Sequence, residues 1–116
     1  MCVVQNEIGV GTNICSGALI TANVQIGMGC IINIKESISH DCILGNFDEI
    51  SPGVSITENC TIESFVTIGA NATIIPRIRM GEKSVVVTGA VVTNDVPSNT
   101  MAAGVPAEIK KFIYEG

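Results

Sequence analysis

Tryptophan is absent from these 116 residues, and the aromatics are only Phe47, Phe65, Phe112 and Tyr114. A core without large rings has to be filled by aliphatic side chains, which favours a narrow and repetitive interior. No stretch approaches the roughly 18 apolar residues of a membrane helix. The opening "MCVVQNEIGV" has neither a basic leader nor a long apolar run, so the chain reads as cytoplasmic. Among Cys2, Cys15, Cys30, Cys42 and Cys60 there is no CxxC pair, and an odd count argues against a closed disulfide framework, so the thiols are expected to be reduced. Charge is scarce too, at 15% of residues against 47% hydrophobic, a balance that folds rather than stays disordered.

The net charge of −5 is uneven. Residues 1 to 75 carry seven acids against Lys35 alone, whereas Arg77, Arg79, Lys83, Lys110 and Lys111 fall in the remainder beside four acids. A nucleic-acid surface is therefore not expected, while a small anionic ligand near the C-terminal third fits. Histidine is as rare as it can be: His40, within "SISHDCILGN", is the only one. It is either an ordinary surface side chain or the one group suited to moving a proton near neutral pH.

What the sequence has in abundance is a period of six. From Ile8 the steps reach Ile14, Ile20, Ile26, Ile32, Ile38, Leu44, Ile50, Ile56, Ile62, Ile68, Ile74, Met80, Val86 and Val92, fifteen apolar anchors without a slip. Four residues after each anchor stands a small or β-branched residue in twelve of the fifteen cases, the exceptions being Glu36, Asp48 and Ile78. Three residues after each anchor, ten of the fifteen positions are Gly, Asn or Asp, among them Gly11, Asn23, Asp41, Asn59, Gly89 and Asp95. These residues tolerate a left-handed backbone, so a corner recurring every six residues selects them. No helical periodicity competes. The unit is a short strand plus a turn, the hexapeptide signature of a β-solenoid.

This pattern resembles the hexapeptide-repeat acyltransferases over nearly the whole chain. The resemblance implies an all-β fold, a left-handed parallel β-helix of about five coils over residues 1–97, followed by a loop and short capping helix over 98–116. With three hexads per coil, residues 18 apart stack about 4.8 Å from one another. The handedness comes from the family, since periodicity is silent on it. Cys30, Cys42 and Cys60 fall in the small inward slot, where packing explains them. No metal is expected: family members that bind one use three histidines, and this chain has one.

Within that family, "SHDCILGN", "ISPGVSI", "IGANATIIP", "GAVVTNDVP" and "AAGVPAEIKK" are similar to segments of bacterial sialic acid O-acetyltransferases and nucleotide-aminosugar N-acetyltransferases. The resemblance implies acetyl-CoA-dependent transfer to an amino or hydroxyl group of a sugar or sugar nucleotide, direct and without an acyl-enzyme. His40 is then the general base, Asp41 its acidic partner, and the backbone N–H of Glu58 the donor to the developing oxyanion. The donor side maps to Glu49, Gly89, Ala90, Gly104, Pro106, Lys110 and Lys111. A homotrimer with the site between subunits is implied as well, with no membrane or nucleic-acid partner.

Three positions depart from the family pattern. Glu49 stands where a second histidine is usual, Glu58 where glycine is common, and Glu108 where a cation often meets CoA phosphate. They support a competing expectation, a weak or inactive solenoid that serves as a binding or assembly module. Members of the subgroup also commonly carry an N-terminal α/β domain, so a chain that begins at the solenoid is expected to be either a piece of such a protein or a minimal form. Phe47 and Phe65, 18 apart, should stack on one corner, as a subunit contact, an acceptor wall or a solvent-exposed pair. Ile109, Phe112 and Ile113 are expected to cover the last coil.

Overall fold

The computed structural model describes residues 6–112. Within them lie seventeen strands, numbered in chain order, and no helix. Fifteen are two-residue strands, each ending on one of the sequence anchors, and they stack into three parallel walls. The first wall holds β1 (Glu7–Ile8), β4 (Gln25–Ile26), β7 (Ile43–Leu44), β10 (Thr61–Ile62) and β13 (Arg79–Met80). The second holds β2 (Asn13–Ile14), β5 (Ile31–Ile32), β8 (Glu49–Ile50), β11 (Thr67–Ile68) and β14 (Val85–Val86). The third holds β3 (Leu19–Ile20), β6 (Ser37–Ile38), β9 (Ser55–Ile56), β12 (Thr73–Ile74) and β15 (Val91–Val92). Every pairing among the fifteen joins residues 18 apart, as in Ile20 with Ile38 and Ile38 with Ile56.

The anchors point inward because alternate residues of a strand face opposite sides. From Ile20 to Val92 every anchor is at most 3% exposed, and the slots between them hold Ala18, Val24, Cys30, Cys42, Val54, Cys60, Val66, Ala72 and Ala90. The expectation for Cys30, Cys42 and Cys60 is met: all three are free thiols buried in this column of slots. Cys15 is free and half-buried, and Cys2 lies outside the described residues. The three slot exceptions obey the same geometry, for Glu36 and Asp48 are each 1% exposed and Ile78 is 5%. The solenoid thus carries two carboxyls inside an aliphatic interior.

Corner geometry is stricter than composition. Fourteen of the fifteen expected corner residues have positive φ, including Lys35, Phe47, Phe65, Arg77 and Lys83, none of which the residue type would select. Hydrogen bonds between coils impose the turn there, as when the Phe47 N–H donates to the Met28 carbonyl and Phe65 to Asn46. The exception, Asp95, corrects the sequence expectation. The last coil is shorter: Val96 bridges to Met80, and Val85 pairs with Met101, both 16 residues away. Asp95 therefore leaves the corner, and its carboxylate accepts from the Arg79 N–H at 2.8 Å.

The tail brings a second correction. Where a capping helix is expected, β16 (Thr100–Gly104) continues the second wall in parallel and β17 (Ala107–Phe112) returns antiparallel to it. The free edge of β16 offers a row of unpaired backbone groups, and a returning strand satisfies them where a helix does not. The expected cover of the last coil fails with the helix, since Ile109 and Phe112 are 44% and 71% exposed; Ile113 lies outside the described residues. Ala102 of β16 is buried in the core, and Ala107 of β17 packs against it.

Candidate active site

His40 sits on the corner between β6 and β7, where the third wall turns into the first. Its column runs from Ala22 through His40 to Glu58, and the next column from Asn23 through Asp41 to Asn59. All three residues of that second column hold φ near 60°. The turn throws Asp41 beside the imidazole, and the Asp41 Oδ2 lies 2.9 Å from His40 Nδ1. Asn23 donates its side-chain amide to the other Asp41 oxygen, which fixes the carboxylate from the coil below. Coil spacing is itself held by the Asp41 N–H donating to the Ala22 carbonyl and the Asn59 N–H to the His40 carbonyl.

The 18-residue register brings the Glu58 carboxylate, as well as its backbone, close to the imidazole, as the sequence leads one to expect. The Glu58 Oε2 lies 3.3 Å from His40 Nε2, so both ring nitrogens face carboxylates. The hydrogen bond to Asp41 and the nearby charge of Glu58 raise the imidazole pKa above its ordinary 6.5, while the Asp41 carboxyl is held below its usual value by the bond to His40. All three side chains are about half exposed, so a ligand can reach them. Among the described residues the backbone N–H of Glu58 has no hydrogen-bond partner, as an oxyanion donor requires. The signal for the Glu58 side chain was available in the 18-residue register, because it places any long side chain at 58 directly over the ring.

The residues expected on the donor side gather elsewhere. Glu49 is exposed on β8, Gly104 ends β16, Pro106 lies in the turn after it, and Lys110 and Lys111 lie on β17, all on the second wall or its continuation. Gly89 turns the corner from β14 to β15, with Ala90 buried behind it. A Cβ at Gly89 would meet nothing within 4 Å, so the surface there is open to an approaching molecule. In a triangular section the His40 corner faces away from the second wall, and one chain does not bring the two sets together. Lys110 is partly engaged, with its Nζ 3.3 Å from the Glu108 carboxylate.

A cavity of about 280 Å³ opens between the last coil and the hairpin, lined by Val92, Asp95, Ala102, Ala107, Glu108 and Ile109. It is remote from His40. Phe47 and Phe65 stack as expected, with ring centroids 5.4 Å apart and planes 19° from parallel, on the corner between the first and second walls. Both are half exposed. No group of three His, Cys, Asp or Glu side chains suited to a metal occurs among the described residues.

Fold and corner together define a class: a parallel β-solenoid of hexapeptide repeats, consistent with a left-handed β-helix and similar to solved sugar N-acetyltransferases. No protein-family profile matches the chain. It is similar to perosamine N-acetyltransferase PerB of Caulobacter crescentus, a structure with CoA and GDP-perosamine, at 32% identity and a TM-score of 0.91 over 94% of this chain and 53% of that one. It is similar also to the acetyltransferase domain of PglB from Neisseria gonorrhoeae, at 30% identity and a TM-score of 0.91 over 93% and 53%. By sequence, the galactoside O-acetyltransferase of Escherichia coli is 43% identical over 40 residues, 34% of this chain and 20% of that protein. The chain spans about half the length of the solved structures it matches, and the matched stretch about a fifth of the curated relatives.

Proposed function

We propose that this chain transfers an acetyl group from acetyl-CoA to an amino or hydroxyl group of a sugar or sugar nucleotide, with His40 as the general base. The observation that carries the reading is the His40–Asp41 pair at 2.9 Å, held by a left-handed corner and by Asn23. Asp41 keeps a proton on Nδ1, so that Nε2 presents its lone pair when the ring is neutral. Deprotonation of an acceptor at Nε2 by a positioned base contributes about 10²- to 10⁴-fold. The free N–H of Glu58, one coil on, is the donor for the carbonyl oxygen as it gains charge.

Acetyl-CoA supplies the acyl group as an activated thioester. Lys110 and Lys111 are the residues to meet its phosphates, and the open backbone at Gly89 lets a chain-like ligand lie close to the corner. Because these lie across the prism from His40, the reading requires a neighbouring copy whose second wall faces the His40 corner, and a homotrimer closes that arrangement. Similarity to a perosamine N-acetyltransferase supports the sugar-nucleotide acceptor.

The test is release of free CoA thiol from acetyl-CoA over amino sugars, their nucleotides and sialic acid. His40→Ala should lower kcat by about 10² to 10⁴ while CoA binding stays near that of the wild type. Equal turnover by the two proteins refutes the assignment. A second reading, an inactive binding or assembly module, is favoured by the Glu58 carboxylate at Nε2 and the Glu108–Lys110 pair. It predicts CoA binding without thiol release on any acceptor.

A further inference from the structure

We propose that the Glu58 carboxylate makes the His40 corner a site for a protonated primary amine in preference to a hydroxyl acceptor, an inference that rests on the acetyl-transfer reading for its chemistry. The geometry is directional. Asp41 occupies Nδ1 at 2.9 Å, so a nucleophile can give up its proton only at Nε2, and Glu58 stands on that approach with Oε2 3.3 Å from the nitrogen. Any acceptor that uses His40 must therefore enter between the ring and this carboxylate.

An incoming hydroxyl does this badly. When the ring is protonated, the Nε2–H to Oε2 contact is charge-assisted, and an alcohol replaces it with neutral hydrogen bonds while leaving Glu58 without its cation. An ammonium group restores the balance. One N–H⁺ donates to Glu58, and the trio of His40⁺, Asp41⁻ and Glu58⁻, which carries a net −1, gains the positive charge that neutralises it. His40 is the ion-pair partner that the structure gives to both acids. Ala22, below the ring in the same column, brings no charge of its own; the neighbouring column adds, besides Asp41, the neutral amides of Asn23 and Asn59 and, one coil beyond Asn59, Arg77, whose backbone N–H donates to the Glu58 carbonyl.

The protons then have a route. An amine at neutral pH is R–NH₃⁺ and must lose one proton to expose its lone pair and a second as the N–C bond forms, whereas an alcohol loses one. The bound ammonium and the protonated ring each first release a proton to solvent across the half-exposed Glu58 carboxylate, the amine's second proton then passes to the Nε2 so freed, and the ring regains its own proton from solvent at the end of the cycle. As the N–C bond forms the C–S bond breaks, its electron pair leaves with sulfur, and His40 returns its proton to the thiolate. The products are the N-acetyl sugar, CoA thiol and one proton. Glu58 acts by holding the ammonium against Nε2, a specificity role distinct from that of its backbone N–H.

His40 is the only histidine in the chain, so its ring resonances report on this corner without ambiguity. The experiment titrates the protein at pH 7 and low salt with GDP-perosamine and with its 4-hydroxy counterpart, following the His40 ring by NMR in wild type and in Glu58→Gln. The expected result is a preference for the amine of at least about tenfold in wild type. It should collapse toward unity in Glu58→Gln, which keeps the shape and removes the charge. Equal affinity for the two probes, no ring perturbation by the amine, or an unchanged preference in Glu58→Gln overturns the proposal. Thiol release from acetyl-CoA is read in the same samples. Its absence with the binding preference intact refutes acetyl transfer and leaves the Glu58 assignment standing, while faster release with the hydroxyl compound refutes the Glu58 assignment alone.

Discussion

Glu36→Gln should stabilise this protein at neutral and alkaline pH and leave it unchanged in acid. Glu36 projects into the prism at a slot that other coils fill with Ala or Val, it is 1% exposed, and neither carboxyl oxygen has a hydrogen-bond partner among the described residues. Desolvation by burial raises its pKa from 4.5 to about 8. Between those values the folded chain keeps a proton that the unfolded chain has released, so stability falls as pH rises from 4.5 toward 8. At about 1.4 kcal/mol per unit, the loss by pH 7 is about 3 kcal/mol. Glutamine is neutral in both states and escapes it. Its melting temperature should exceed that of wild type by about 10 °C at pH 7, with the gap closing below pH 5. Thermal unfolding followed by circular dichroism across pH 4.5 to 8.5 measures this directly. A gap that is the same at both ends of the range would show that the carboxyl does not titrate from a buried state.

Asp48 repeats the effect two hexads further on: its carboxyl is pushed up to about 7 by burial, partly offset because the Val66 N–H donates to it at 2.8 Å. Asp48→Asn should therefore show the same pH trend with a gain at pH 7 comparable to that of Glu36→Gln, provided the amide oxygen keeps that bond; no gain at pH 7 would contradict the reasoning. Gly27→Ala should cost at least about 2 kcal/mol in urea unfolding, because an added Cβ runs into the Gly45 carbonyl and the Asn46 side chain of the next coil. A neutral outcome would mean that coil spacing relaxes more readily than the ladder allows. Changing Lys110 and Lys111 together to Ala should weaken CoA binding about tenfold or more at low salt, and unchanged affinity in calorimetry removes the tail from the phosphate site. Sedimentation should find a trimer, and a monomer that binds CoA tightly would refute a site shared between copies.

The hexad specified the inward face of the solenoid before any coordinates. Fifteen apolar anchors at a spacing of six leave no freedom in which residues face inward, so the buried thiols of Cys30, Cys42 and Cys60 follow from sequence alone, while the three walls and the 18-residue register are what the family resemblance implies. The same register put His40 beside Asp41 and under Glu58. What it left undecided depends on contacts between segments whose pairing the period does not encode. Residue type marks Gly and Asn as corner formers, but hydrogen bonding between coils forces Phe47, Phe65 and Arg77 into the same left-handed turn. The 16-residue step at Val96 and the hairpin of β16 and β17 arise where the repeat ends and an open sheet edge must be satisfied. The Glu58 side chain closes on Nε2 because two flexible groups on adjacent coils attract each other. That choice of rotamer is electrostatic, and only the assembled coils bring the charges within reach.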